Sequence, residues 1–211
     1  RQYGIKAAVL HGFTMTDRPV PSFGRGRSYD DAMKDVFRPE LSLEDSRICR
    51  DFFHTEEFAE RRELTRKNLR DVAKTYPDIA FLIENDFPCY GAGNLLADCA
   101  ACLDNDICLD TSHLWASSLV FGRDFLGETE QFLRTGRVRM VHLHASPFTV
   151  NTPRKNIGDG HLPLATPNSM QLPKFVSSCR KAGVKHYVFE IKDVSADDVC
   201  RFKCMWDQTE E

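Results

Sequence analysis

Apolar positions along the chain follow two alternating rhythms. Five short runs, rich in β-branched and aromatic residues, read as buried strands at 5–11, 79–84, 107–110, 138–144 and 187–191. Helical spacing fills the gaps. Over 55–76 it sets Phe58, Leu69, Val72, Ala73 and Tyr76 on one side. Leu95, Leu96, Cys99 and Leu103 make a second face, and Phe125, Phe132 and Leu133 a third, closed by Gly136. Phe175, Val176 and Cys179 follow, closed by Gly183. Ser195 with Asp198 three residues on reads as a capping box, with Val199, Phe202 and Trp206 behind it. Strands alternating with helices predict an α/β fold, a parallel sheet or a (β/α) barrel. Residues 14–53 break the rhythm with Pro19, Pro21, Gly24, Gly26 and Pro39. They read as a long βα insertion, either a lid over a site or a surface loop with one extra helix.

Composition narrows the classes. At 42% hydrophobic the chain can build a core. No apolar run approaches the ~18 residues of a membrane span, and no signal peptide opens the sequence, so the cytoplasm is the default expectation. A net charge of −3 argues against coating nucleic acid. Eight cysteines are too few for a disulfide scaffold. Cys99, Cys102, Cys108, Cys179, Cys200 and Cys204 fall in predicted elements and read as small buried hydrophobes. The basic run Gly24-Arg25-Gly26-Arg27 reads as a loop, with phosphate binding as its alternative.

The chemistry lies where the strands stop. The runs end at His11, Glu84, Asp110, His142-Leu143-His144 and Glu190. Strand C-termini of parallel α/β folds share one face, where active sites are built. Alternation puts His142 and His144 on one side. Carboxylates gathered at one barrel mouth repel, and a divalent cation is the simple remedy. Carboxylates with an imidazole suit zinc, manganese or magnesium.

Taken in order, Leu82-Ile83-Glu84-Asn85, Cys108-Leu109-Asp110-Thr111-Ser112-His113, Val141-His142-Leu143-His144-Ala145-Ser146, Asn156-Ile157-Gly158-Asp159-Gly160 and Phe189-Glu190 resemble the xylose isomerase-like TIM-barrel superfamily. That group holds sugar-phosphate isomerases and epimerases, ketose 3-epimerases and endonuclease IV. Val9-Leu10-His11-Gly12 resembles the His-bearing strand end of the same barrels, and the likeness runs from about residue 5 to 206. The resemblance implies one divalent ion (Mn, Zn or Mg) held by Glu84, Asp110, His142 and Glu190. It implies that His113 holds substrate in the epimerases or a further zinc in endonuclease IV. His144 faces the same cavity, and His11 and Arg154 stand on the substrate side. The implied reaction is isomerisation or epimerisation of a sugar or sugar phosphate through an enediolate, with Glu84 and Glu190 as the proton-transferring pair.

One departure bears on the alternatives. Endonuclease IV places an Asp-x-His ahead of its Asn-Ile-Gly, where this chain has Thr152 and Arg154, so a three-zinc site is not expected. The ketose 3-epimerases carry an arginine at the position of Arg154, which favours a small sugar or polyol ligand. A zinc phosphodiesterase and a non-catalytic ligand-binding barrel remain the competing readings. A homo-oligomer is left open. His161, after Gly158-Asp159-Gly160, reads either as a site residue or as a turn. A closed barrel has eight strands in typically ~250 residues. The whole chain, 1–211, therefore reads as one barrel domain with about five βα units visible and the N-terminal units missing.

Overall fold

The computed structural model describes residues 4–20 and 26–208. Strands β1 (Ala7–Leu10), β2 (Ala80–Glu84), β3 (Asp106–Asp110), β4 (Val138–His142) and β5 (His186–Val188) lie side by side in chain order, every pair parallel. Helices α2 (Glu56–Thr75), α3 (Ala97–Cys102), α4 (Thr111–Phe121), α5 (Phe125–Arg134), α6 (Leu172–Lys181) and α7 (Ala196–Asp207) alternate with them. The result is an open, incomplete (β/α) barrel.

Three strands stop earlier than the apolar pattern predicts, β1 by one residue at Leu10. After His142 the Leu143 amide still bonds the Val188 carbonyl at 2.8 Å, but Ala145 then pairs with Leu162 instead. That switch ends β4. β5 is an edge strand with three paired residues, so Glu190 stands in the loop beyond it.

The sheet's outer face is packed by Ile107, Leu109, Val141, Phe132 and Phe175, with Phe125 and Phe175 stacked at 5.7 Å. Burying one such phenyl side chain contributes roughly 1.5–3 kcal/mol. Helix α4 is buried on nearly every side because two cores meet on it. Leu114 and Trp115 join the sheet's core, while Ala116 and Val120 join a second one built by the insertion.

The insertion is a packed cover. It contains α1 (Tyr29–Lys34) and a short 3-10 turn, Pro39–Leu41. Antiparallel bridges Thr14–Ala92 and Ile48–Cys89 clasp it to the loop after β2. Pro21 and the Gly24-Arg25 half of the basic run lie outside the described residues.

Three expectations of burial are corrected. In α2, Phe58 and Leu69 are buried, but Ala73 and Tyr76 are exposed. The helix overhangs the β1 edge there, with no further described strand beneath it. The α7 capping box forms, with Asp198 Oδ2 accepting from the Ser195 amide at 2.9 Å, yet Val199 faces solvent. Cys102, Cys200 and Cys204 are exposed on their helices, whereas Cys99, Cys108 and Cys179 are core residues.

Candidate metal centre

Four residues from four chain segments converge at the C-terminal rim of the sheet. Glu84, Asp110 and His142 are the last residues of β2, β3 and β4, and Glu190 follows β5. Their ligating atoms lie within 4.8 Å of one another. His142 Nδ1 sits 3.1 Å from Glu84 Oε1 and 3.2 Å from Glu190 Oε1. Burial opposes protonation of His142, but the Glu84 hydrogen bond together with the charges of Glu84, Glu190 and Asp110 outweighs it and raises the pKa. Three carboxylates around one imidazole, mostly buried, are a poor arrangement without a cation. Oxygen donors with one nitrogen fit a divalent ion such as manganese, zinc or magnesium.

A buried polar frame sets these positions. The Asp110 amide donates to Asn85 Oδ1 at 2.7 Å, and Asn85 Nδ2 donates back to the Asp110 carbonyl at 3.0 Å. Asn94 Nδ2 donates to the Glu84 carbonyl. Asp110 also caps α4, its Oδ1 accepting from the His113 amide at 2.8 Å. His144, fully buried, lies 2.7 Å from Asp110 Oδ2 through Nε2. Its Nδ1 accepts from the His161 amide at 2.8 Å, which assigns the proton to Nε2. His144 therefore donates to Asp110, an arrangement that orients a ligand carboxylate. Burial opposes ionisation of Asp110, but His113 and His144 hold its pKa below the ordinary value.

A second group adjoins the first. His113 Nε2 is 3.0 Å from Asp159 Oδ2, and His161 Nε2 is 2.9 Å from the same oxygen. His113, Asp159 and His161 also meet the spacing of metal ligands. Asp159 Oδ1 is buried without a hydrogen-bond partner. Burial works against the charge on His113, yet Asp110, Asp159 and Glu84 around it raise its pKa well above the ordinary value. The Asp159 hydrogen bond lifts His161 to about 9. An Asp-x-His does stand in this loop, as Asp159-Gly160-His161, after Asn156-Ile157-Gly158 rather than before it. Gly160 permits this close approach: a Cβ there would stand 2.3 Å from the Ala145 carbonyl and 2.6 Å from Ser112 Oγ.

A cavity of about 540 Å³ opens above the donors. Glu84, His113, Asp159, His161 and Glu190 line its floor, and the insertion supplies the opposite wall. His11 stands at its rim, with Nδ1 2.9 Å from Asp86 Oδ1. That bond raises the His11 pKa, while burial pushes the Asp86 carboxyl up. Arg154 is not on this wall. It is exposed on the 3-10 turn Arg154–Asn156 and lines outer clefts beside Gly122 and Arg123. The arginine that reaches the cavity is Arg47, from the insertion. Neither Arg47 nor Asp86 is distinguished in the sequence, since each reaches the cavity only through the path of its loop. Asp159 carried a weak signal in its flanking glycines.

No family model and no curated relative matches this chain. Among solved structures, a D-tagatose 3-epimerase-like protein aligns over 95% of this chain and 76% of its own, with a TM-score of 0.55 at 14% identity. An L-ribulose 3-epimerase aligns over 72% of this chain and 48% of its own, with a TM-score of 0.46 at 14% identity. Such identity speaks to architecture and not to chemistry. In architecture, then, this chain shares the (β/α) barrel fold of the D-tagatose 3-epimerase-like protein, as an incomplete barrel.

Proposed function

We propose that this protein is a divalent-metal-dependent isomerase or epimerase of a sugar or sugar-like hydroxyketone. The observation that carries the reading is the convergence of Glu84, Asp110, His142 and Glu190 beneath one cavity. A divalent ion held by these four would acidify the proton α to a substrate carbonyl by stabilising negative charge on oxygen. Glu84 and Glu190 both line the cavity, one from the end of β2 and the other from the loop after β5. In this reading one removes the α-proton, leaving an enediolate, and the other returns a proton to the opposite face. His11 turns Nδ1 to Asp86, leaving Nε2 as the atom for a substrate hydroxyl. His113 and His144 hold the carboxylates of both groups in position.

The test is metal content of the purified protein against its Glu84→Ala and His142→Ala variants, followed by a panel of ketoses in deuterated water. One tightly held ion, lost in both variants, with deuterium entering the α-position, is the expected result. No stoichiometric metal after addition of manganese or zinc would overturn the reading. A second reading, a zinc phosphodiesterase, is favoured by one observation, the adjoining group His113, Asp159 and His161. It requires two or more ions per chain and hydrolysis of a phosphodiester such as bis(p-nitrophenyl) phosphate. Ligand binding with neither activity would identify a non-catalytic barrel.

A further inference from the structure

The cavity has a floor and walls of different chemistry. The floor is the carboxylate and histidine cluster already described. Above it the lining turns apolar, with Phe13, Val20, Met33, Phe87 and Ala92. Consecutive contacts order these layers. The Phe87 ring meets the His113 ring edge-on at 6.0 Å, and Phe87 also packs against the cluster that contains Met33 and Tyr90. At the far end the Arg47 guanidinium lies 5.7 Å over Tyr90 and is paired with Asp30 at 2.5 Å.

Two features of this lining point to a ligand class. First, about 540 Å³ falls within the range of cavities that hold drug-sized molecules, well beyond the needs of one sugar ring. The additional volume is walled by aromatic and thioether groups, which favour a planar apolar ring. Second, the cavity is poorly suited to a phosphate. Arg47 is the one lysine or arginine among the described lining residues, and Asp30 already neutralises it. The cavity's histidines face Asp86, Asp159, Glu84 and Glu190. A phosphate would meet these carboxylates and find no unpaired basic side chain on the described wall.

Resting on the sugar reading above, we infer that the ligand is a neutral sugar conjugate whose substituent sits away from the reacting carbonyl. Its hydroxylated ring occupies the polar floor, and an aromatic substituent fills the space between Phe87, Met33 and Val20. The specificity-determining surface is the one that the insertion contributes.

The experiment is isothermal titration calorimetry with phenyl β-D-glucopyranoside and methyl β-D-glucopyranoside, acetals that report binding and not turnover, and with glucose 6-phosphate. The phenyl glycoside is expected to bind roughly tenfold or more tightly than the methyl glycoside, because burial of the ring adds apolar area. Glucose 6-phosphate is expected to bind most weakly. Val20→Ser, at a half-buried position, and Phe87→Leu, which keeps most of the volume, are expected to shrink the phenyl advantage with the methyl glycoside unchanged. Equal affinity for the two glycosides, preference for the phosphate, or binding of none of the three overturns the inference. Metal content and α-proton exchange on free ketoses judge the isomerase reading separately, so either can fail while the other stands.

Discussion

Glu84, Asp110 and His142 stand on the last residues of hydrogen-bonded strands, while Asp159 and His161 ride on a loop. The strand-borne donors are fixed by the sheet and by the Asn85, Asn94 and Thr111 bonds between strand ends. The loop-borne donors depend on one close approach, with the Gly160 amide donating to Ser112 Oγ at 2.9 Å and the His161 amide donating to His144. His161 also holds a backbone φ of 45°, uncommon outside glycine. The first group is thus preorganised by the fold, and the second is assembled onto it. His144 joins them, touching Asp110 on one side and stacking on the His161 ring at 4.4 Å on the other.

The largest effect is expected from Asp110→Asn. It keeps the shape but removes the charge that His113 and His144 surround. Metal affinity is expected to fall more than ~100-fold, beyond the usual loss for an outer partner. Stability is expected to fall by on the order of 3 kcal/mol, because a buried charge loses its partner. Calorimetry and thermal denaturation measure both. Metal binding unaltered by this change would remove the four-donor group from consideration.

His144→Ala tests the link. A ligand carboxylate that loses its orienting partner typically costs ~10–100-fold in metal affinity, and that range is expected here. An effect as large as that of Asp110→Asn would instead make His144 a ligand in its own right.

Gly160→Ala and Asp159→Asn isolate the loop group. Both are expected to leave metal binding by the strand-borne donors intact. In Asp159→Asn the His161 pKa should drop from about 9 toward 6.5, as followed by NMR titration. Loss of metal from the first group in either variant would show that the two groups act as one.

The smallest effect is on stability against pH in the metal-free protein. His161 is raised, so its contribution is complete below 6.5 and is lost as pH rises through about 9. Asp159 is lowered, so its contribution is present above 3.8 and fades as pH falls through its depressed folded value. The melting temperature should therefore decline from pH 6.5 to 9 in the unmodified protein. Asp159→Asn should lessen that decline.

Much of this arrangement is legible in the chain. Apolar runs of strand length ending at Glu84, Asp110 and His142 are local signals, and the strands form where those runs lie. Asp110 reads as a strand end, but α4 and its cap by Asp110 have no counterpart among the predicted helices and come from the structure. The positions that were misread lie on loops or on unpartnered faces. Arg154 sits in a motif that resembles a substrate-binding one, yet its turn carries it to the outside. Ala73, Tyr76 and Val199 keep helical spacing but stay exposed, Tyr76 with only the edge of the Phe81 ring against it.

What the sequence by itself determined is the alternation of strands and helices and the carboxylates and histidines at the strand ends. Both follow from side-chain periodicity and from the chemistry of single residues, which need no knowledge of distant segments. Only the tertiary structure decided that Asp159 and His161 join His113, that Arg47 rather than Arg154 faces the cavity, and that the insertion walls it with apolar side chains. Those outcomes depend on where loops of irregular backbone return to the sheet. That path is set by long-range packing, such as Gly160 against Ala145 and Ile48 against Cys89, and not by any local pattern.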